Sequence, residues 1–262
     1  MKGPLLSALS CLAAAYLLLC GWLYFTQRSL IYFPTSAEGR AQTASFENAS
    51  ERVHYSQIRR PGSGAVVYFG GNAEDVSQSV DDLAAAFPGD SVYALHYRGY
   101  GRSSGSASEQ ALVADALMLF DLLSSRHPEM VLVGRSLGSG VAIQVAAQRP
   151  LKRLVLVTPF NSLVDVAAAH FPYFPVRLLL EDRFESHNYA PNLRVATTII
   201  AASDDRIIPA WSTQKLAEAL GPAVSEFVLL EGFDHNDISA SPRYWQALAG
   251  RLPSTQSNTI ED

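Results

Sequence analysis

Residues 130–147 read MVLVGRSLGSGVAIQVAA. The first four are apolar and largely β-branched or unbranched, as in a strand buried on both faces. The chain then turns through Gly134-Arg135-Ser136-Leu137-Gly138, and residues 141–147 are small, apolar and compatible with a helix. A serine flanked by glycines between a strand and a helix is the local form of a nucleophile elbow. The turn is so tight that a side chain at either glycine would meet the neighbouring strand or helix. It holds the serine hydroxyl clear of the backbone at a helix N-terminus, where free N–H groups favour developing negative charge. A small-residue turn between a strand and a helix is the plainer alternative, so the rest of the chain must supply partners for Ser136.

At 262 residues, with 48% hydrophobic residues, the chain suits one large α/β domain. The net charge of -5 and the lack of a Lys/Arg cluster with interleaved aromatics argue against nucleic acid as a partner. Only two cysteines occur, Cys11 and Cys20, both in an N-terminal apolar stretch, so the body has neither a disulfide nor a cysteine metal ligand. His170, His187 and His235 are too scattered for a metal signature, and no cofactor or metal is expected. GYGRSSG has the glycine content of a phosphate loop but lacks its lysine.

Residues 5–25 carry no charge, and at ~1.5 Å per residue they span roughly 31 Å, the thickness of a bilayer core. Trp22, Tyr24 and Phe25 end the stretch like an interfacial belt, followed by Gln27 and Arg28. Apolar residues continue past Ala13-Ala14-Ala15, which favours an uncleaved single-pass anchor over a signal peptide. Residues 1–28 are therefore expected to form a membrane anchor with its flanks, with the body outside the cytoplasm. Residues 29–252 form the main domain, and 253–262 a disordered tail.

Beyond a connector, QRSLIYFP, the expected strands are a short edge strand at 53–58, then 65–69, 91–97, 153–158, 196–201 and 226–230. Helices are expected at 76–87, 108–125, 211–220 and 242–252, with Ser108 as N-cap. The alternation breaks at 159–194, which reads as a short lid bearing Phe171, Tyr173 and Phe174. Alternating strands and helices predict a mainly parallel, doubly wound sheet whose site lies at the carboxyl ends of the strands.

A serine hydroxyl needs a base, and the base an orienting acid. After Ser136 come Asp204 and Asp205 behind one strand and His235 behind the next, the order Ser…Asp…His. Asp205, four residues before Pro209, is the preferred acid; Asp204, Asp234 and Asp237 are expected to set loops. Oxyanion donors are expected from Leu137 and from the loop after residues 65–69, through Asn72 or Gly71.

FGGNAED, YRGYGRSSG, GRSLGSG, DDRIIP and GFDHND, behind an apolar anchor and QRSLIYFP, cover most of the chain. In this order they resemble the α/β-hydrolase superfamily, in particular its small membrane-anchored serine hydrolases. The chain departs from that pattern at Gly70, where relatives commonly have histidine before Gly-Asn. It also departs at His96, where aspartate is frequent, and at Ala202, where glycine is. The resemblance implies hydrolysis of carboxylic esters or thioesters, with acyl or lipid-like substrates suggested by the aromatic lid. The alternative is a non-catalytic tethered binding or scaffolding protein that keeps the fold. Oligomeric state is not legible.

Overall fold

Period-two alternation inside the apolar runs sends neighbouring side chains to opposite faces, and both faces are covered. The computed structural model describes residues 3–252, so the expected tail at 253–262 lies outside the described residues. Strands β1 (Gln42–Asn48), β2 (Glu51–Ile58), β3 (Gly64–Phe69) and β4 (Ser91–Leu95) precede β5 (Glu129–Arg135), β6 (Arg153–Val157), β7 (Thr197–Ala202) and β8 (Val224–Leu230). They form one eight-stranded sheet in the order β1-β2-β4-β3-β5-β6-β7-β8. The pairs β1/β2 and β2/β4 are antiparallel; every other pair is parallel.

The helices are α1 (Gly3–Ile31), α2 (Val76–Ala86), α3 (Glu109–Ser124), α4 (Leu137–Ala146) and α5 (Leu163–His170). After them come α6 (Val176–Leu179), α7 (Ser186–Tyr189), α8 (Ala210–Leu220) and α9 (Pro242–Leu248). Val67, Phe69, Leu132, Leu154 and Leu156 pack with the buried residues of α3, α4 and α8. Val66, Tyr68, Val131, Val133, Val155 and Val157 pack with those of α2 and α9. A sheet sandwiched in this way is doubly wound. Ser108 caps α3 as its pattern predicts, its hydroxyl accepting from Ala111 N at 3.2 Å.

The chain leaves β3 toward β4 on one side and returns to β5 on the other, so the loops after β3 and β5 diverge at a crevice. Open α/β sheets bind ligands at such a switch point. Phe69 pairs with Gly134 at the ends of these strands, which brings the Gly70–Asp75 loop and the Ser136 turn together.

Two expectations need correction. The edge strand at 53–58 is the end of a longer β2, paired along its length with β1, which the polar alternation of QTASFEN concealed. Ala49 and Ser50 turn this hairpin at φ of 50° and 67°, without the glycine or Asn-Gly that announces such a turn. Residues 27–31 are not a connector but the last turns of α1. The lid region contains α5, α6 and α7, too short to show periodicity.

The stretch Leu5–Ile31 within α1 is long and apolar enough to cross a membrane, and almost all of its most apolar part is exposed.

Candidate active site

Ser136 stands between the last residue of β5 and the first of α4, at φ 49° and ψ -115°. This is left-handed backbone for a residue with a side chain, and it costs on the order of 1–3 kcal/mol. The surroundings enforce it: Ser136 N donates to Val157 O at 2.9 Å. Both flanking glycines are required by close approach. A Cβ on Gly138 would overlap the Phe69 carbonyl, and one on Gly134 would overlap the Gly138 carbonyl.

His235 follows β8 and is 6% exposed. Its Nδ1–H donates to Asp205 Oδ2 at 2.7 Å, which leaves Nε2 to accept from the Ser136 hydroxyl at 2.9 Å. The carboxylate is itself fixed, because Asp205 Oδ1 accepts from Ile207 N (2.9 Å) and Ile208 N (2.8 Å). Asp204 turns away and accepts from Ser203 Oγ at 3.0 Å. Asp234 and Asp237 close their own loop, each accepting a backbone N–H within it. A hydroxyl bonded to an imidazole that is backed by a locked carboxylate can transfer its proton as it attacks an electrophile.

The loop after β3 lies against the serine: a Cβ on Gly71 would sit 3.7 Å from that of Ser136. Gly71 N–H is committed to Glu74 Oε2 at 2.7 Å. The Asn72 side chain is committed too, its Nδ2 donating to Ile31 O (2.6 Å) and its Oδ1 accepting from Phe33 N (3.0 Å) and Tyr100 Oη (2.7 Å). Of the expected donor groups, the backbone amides of Leu137 and Asn72 remain.

Sequence reasoning passed over two residues here, Glu74 and Arg135. The largely buried Glu74 carboxylate accepts from Tyr68 Oη and Ser79 Oγ, both at 2.7 Å, besides Gly71 N. Arg135 lies 3.5 Å from Glu74 Oε2 and donates through Nη2 to the carbonyls of His235 and Asn236, each at 3.3 Å. The β3 loop, the serine turn and the histidine loop are thereby joined by one ion pair. Its only sequence signal is a charged residue inside each of two otherwise small-residue motifs, GGNAED and GRSLG.

Of the lid aromatics, Phe171 and Tyr173 are exposed, and Phe174 stacks on Tyr16 of α1 with ring centres 6.2 Å apart. The lid reaches the acid loop through His170, whose Nε2 donates to Ile207 O at 2.9 Å. Among the described residues no group of three or more His, Cys, Asp or Glu side chains could hold a metal ion.

His96, where the family pattern favours aspartate, is buried with Nε2 at 2.8 Å from Ser56 Oγ. Burial holds its pKa down to about 4.

A family model described as serine aminopeptidase, S33, matches residues 61–181. An uncharacterized protein of Mycobacterium tuberculosis is 34% identical over 234 residues, covering 82% of this chain and 83% of its own. The chain belongs to the α/β-hydrolase superfamily. Within the superfamily it falls in the alpha/beta hydrolase domain-containing subgroup, and by that membership it is a hydrolase. The lysophosphatidylserine lipase ABHD12 of Xenopus tropicalis is 29% identical over 63% of this chain, which spans 50% of that protein. An esterase of Pyrococcus furiosus superposes with a TM-score of 0.66 over 84% of this chain and 96% of its own. At 15% identity that likeness shows the shared α/β-hydrolase fold alone.

Proposed function

We propose that this α/β-hydrolase is a membrane-anchored serine hydrolase that cleaves acyl esters or thioesters, with residues 29–252 as the hydrolase domain and 159–194 as its lid. The observation that carries the reading is the unbroken chain from Ser136 Oγ through His235 to Asp205, at 2.9 and 2.7 Å.

In this mechanism Ser136 Oγ attacks the acyl carbonyl while its proton passes to His235 Nε2. The carbonyl π pair becomes an oxyanion, received by the amides of Leu137 and Asn72, with Gly71 permitting the close approach. Removing one such donor costs roughly 3 kcal/mol in the barrier. Asp205 keeps the ring in the required tautomer and stabilises the imidazolium. Collapse expels an alkoxide or thiolate, which takes the proton from Nε2. Water then attacks the acyl-enzyme by the same route, releasing a carboxylic acid and restoring Ser136.

The apolar α1 supports the anchor, and the likeness to a lysophosphatidylserine lipase supports a lipid-like acyl substrate. Phe171, Tyr173 and Phe174 are assigned to acyl contact. The test is a panel of esters and thioesters of graded chain length, with Ser136→Ala as control. Turnover that rises with chain length and vanishes in the variant is expected. Turnover that survives in the variant contradicts the mechanism.

A further inference from the structure

The lid is fastened to α1 along much of that helix. Among the described residues of the helix the covered stripe runs through Cys20, Leu23, Gln27 and Ile31 at spacings of three and four, flanked by the partly covered Gly21 and Thr26, whereas Leu18 and Phe25 are 75% and 85% exposed. The Tyr16 hydroxyl donates to Tyr173 O at 2.8 Å, and its ring stacks on Phe174. The Gln27 amide pairs with the lid backbone as a strand would: Nε2 donates to Leu179 O (3.1 Å), and Oε1 accepts from Glu181 N (2.8 Å). Tyr24 Oη donates to Glu181 Oε1 at 2.7 Å, and Arg28 Nε to Asp182 Oδ2 at 3.0 Å. The lid thus runs beside α1 from Tyr16 to Arg28, which is about 18 Å of helix at ~1.5 Å per residue.

We propose that lid and anchor form one membrane-embedded wedge. In it the lid tip, residues 171–178, lies among the acyl chains near the bilayer midplane, and the partner of this surface is the bilayer hydrocarbon. The inference rests on the reading of α1 as a membrane anchor, because a lid tip bonded to Tyr16 then shares the depth of Tyr16, within the apolar span.

The tip has the apolar composition, and most of the backbone bonding, that this depth demands. Phe171, Tyr173 and Leu178 are 58%, 86% and 85% exposed, a strong apolar display for a surface facing water. In hydrocarbon, backbone donors must be satisfied from within. The N–H groups of Phe171, Phe174, Val176, Leu178, Leu179 and Leu180 donate to carbonyls of residues 167–176, and Pro172 and Pro175 carry no N–H, which leaves those of Tyr173 and Arg177 as the tip's N–H groups without a backbone partner among the described residues. The Tyr16 hydroxyl, costly to leave unpaired in a bilayer, has the Tyr173 carbonyl. Arg177, the single charge of the tip, is neutralised by Asp165 at 2.6 Å and has a long stem with which to reach the interface. Glu181 and Asp182 stand level with Arg28, where headgroups begin, and the Arg183 guanidinium donates to the Arg177 carbonyl at 3.0 Å.

The wedge also fixes the height of the serine. Asn72, in the loop against Ser136, holds the last residue of α1 through Ile31 O and the next turn through Phe33 N. An acyl ester lying in the leaflet thereby presents its carbonyl at the level of Ser136 while its chain stays among the lipids, so substrate arrives laterally.

The experiment uses the full chain with Cys11→Ser and Cys20→Ala, reconstituted in phosphatidylcholine vesicles. One cysteine is introduced per variant and labelled with an environment-sensitive fluorophore. Tyr173→Cys reports the lid tip, Leu17→Cys the anchor and Leu122→Cys an exposed site on α3. Leu178→Cys repeats the tip measurement should Tyr173→Cys fold poorly. The expected result is quenching of the tip by doxyl-labelled lipid as for Leu17→Cys, with iodide quenching severalfold weaker than for Leu122→Cys. An anchor in lipid with a tip as open to iodide as Leu122→Cys overturns the wedge and leaves the anchor standing. Anchor and tip both in water overturn the two together. The fluorescence does not depend on Ser136 reactivity, so loss of the hydrolase reading is separately visible.

Discussion

The two sides of Ser136 are built differently. Toward the sheet, groups approach so closely that Gly134 and Gly138 admit no Cβ, and every ring nitrogen and carboxylate oxygen of His235 and Asp205 has a partner. Toward α1, a lid of three short helices is tied to that helix by a few polar bonds and shows its apolar residues outward. Close packing resists displacement, whereas a handful of hydrogen bonds worth about 1 kcal/mol each can open locally. On the proposed reading, chemistry belongs to the rigid side and substrate access to the adjustable one.

The largest effects should fall on the rigid side and be blind to substrate. His235→Ala should lower kcat by about 10⁴- to 10⁶-fold on short and long esters alike, with thermal stability nearly unchanged. Asp205→Asn should cost about 10⁴-fold. Asp204→Asn should stay within about twofold, since its carboxylate meets only Ser203 Oγ among side chains. A larger loss at Asp204 in steady-state kinetics would reverse the assignment of the acid.

Next in size is the ion pair that joins the three loops. Glu74→Gln removes its charge and loosens Arg135 from the carbonyls of His235 and Asn236. A small displacement of the base should lower kcat about ten- to hundredfold, with a much smaller change in KM for a short ester. Equal changes in both parameters would mean that Glu74 serves substrate binding instead.

A third effect concerns stability and belongs to the sheet side alone. Burial holds the His96 pKa down to about 4, and burial also lowers His54 and His127. Above the unfolded value of about 6.5, neither state carries the proton and the native state keeps its full advantage. As pH falls from 6.5 toward 4, the unfolded chain takes up a proton that the folded chain refuses, so stability drops, by on the order of 3 kcal/mol from His96. Urea titrations between pH 7.5 and 4.5 should show the drop, with a shallower slope in His96→Asn. An unchanged slope would place the titration elsewhere.

The smallest effect marks the adjustable side. Gln27→Ala should leave kcat on a short soluble ester intact. Amide hydrogen exchange around Leu179 and Glu181 should accelerate by about tenfold, equivalent to ~1.4 kcal/mol of local opening. Unaltered exchange there would mean that α1 does not hold the lid.

Legibility in the sequence followed the same division. Ser136, Asp205 and His235 were readable because each sits in a short motif behind an apolar run, and their chain order is preserved when the strands line up. The inner parallel strands β3, β5 and β6 were readable because burial on both faces makes them nearly continuously apolar. β1 was not, since a half-buried edge strand such as QTASFEN alternates with polar residues and its turn uses Ala49 and Ser50. The lid helices were too short for a period to emerge. Contacts between residues far apart in the chain, such as Gln27 with Leu179 or Glu74 with Arg135, leave no local pattern, so the link between α1 and the lid emerged only in three dimensions.

The central claim is that Ser136 is the nucleophile, made reactive by its place beside His235. Fluorophosphonate labelling of the folded protein, followed by peptide mass mapping, tests it most directly. The account predicts a single adduct on Ser136, absent in Ser136→Ala and strongly slowed in His235→Ala. Folded wild-type protein that stays unlabelled, or an adduct on another residue, would contradict it.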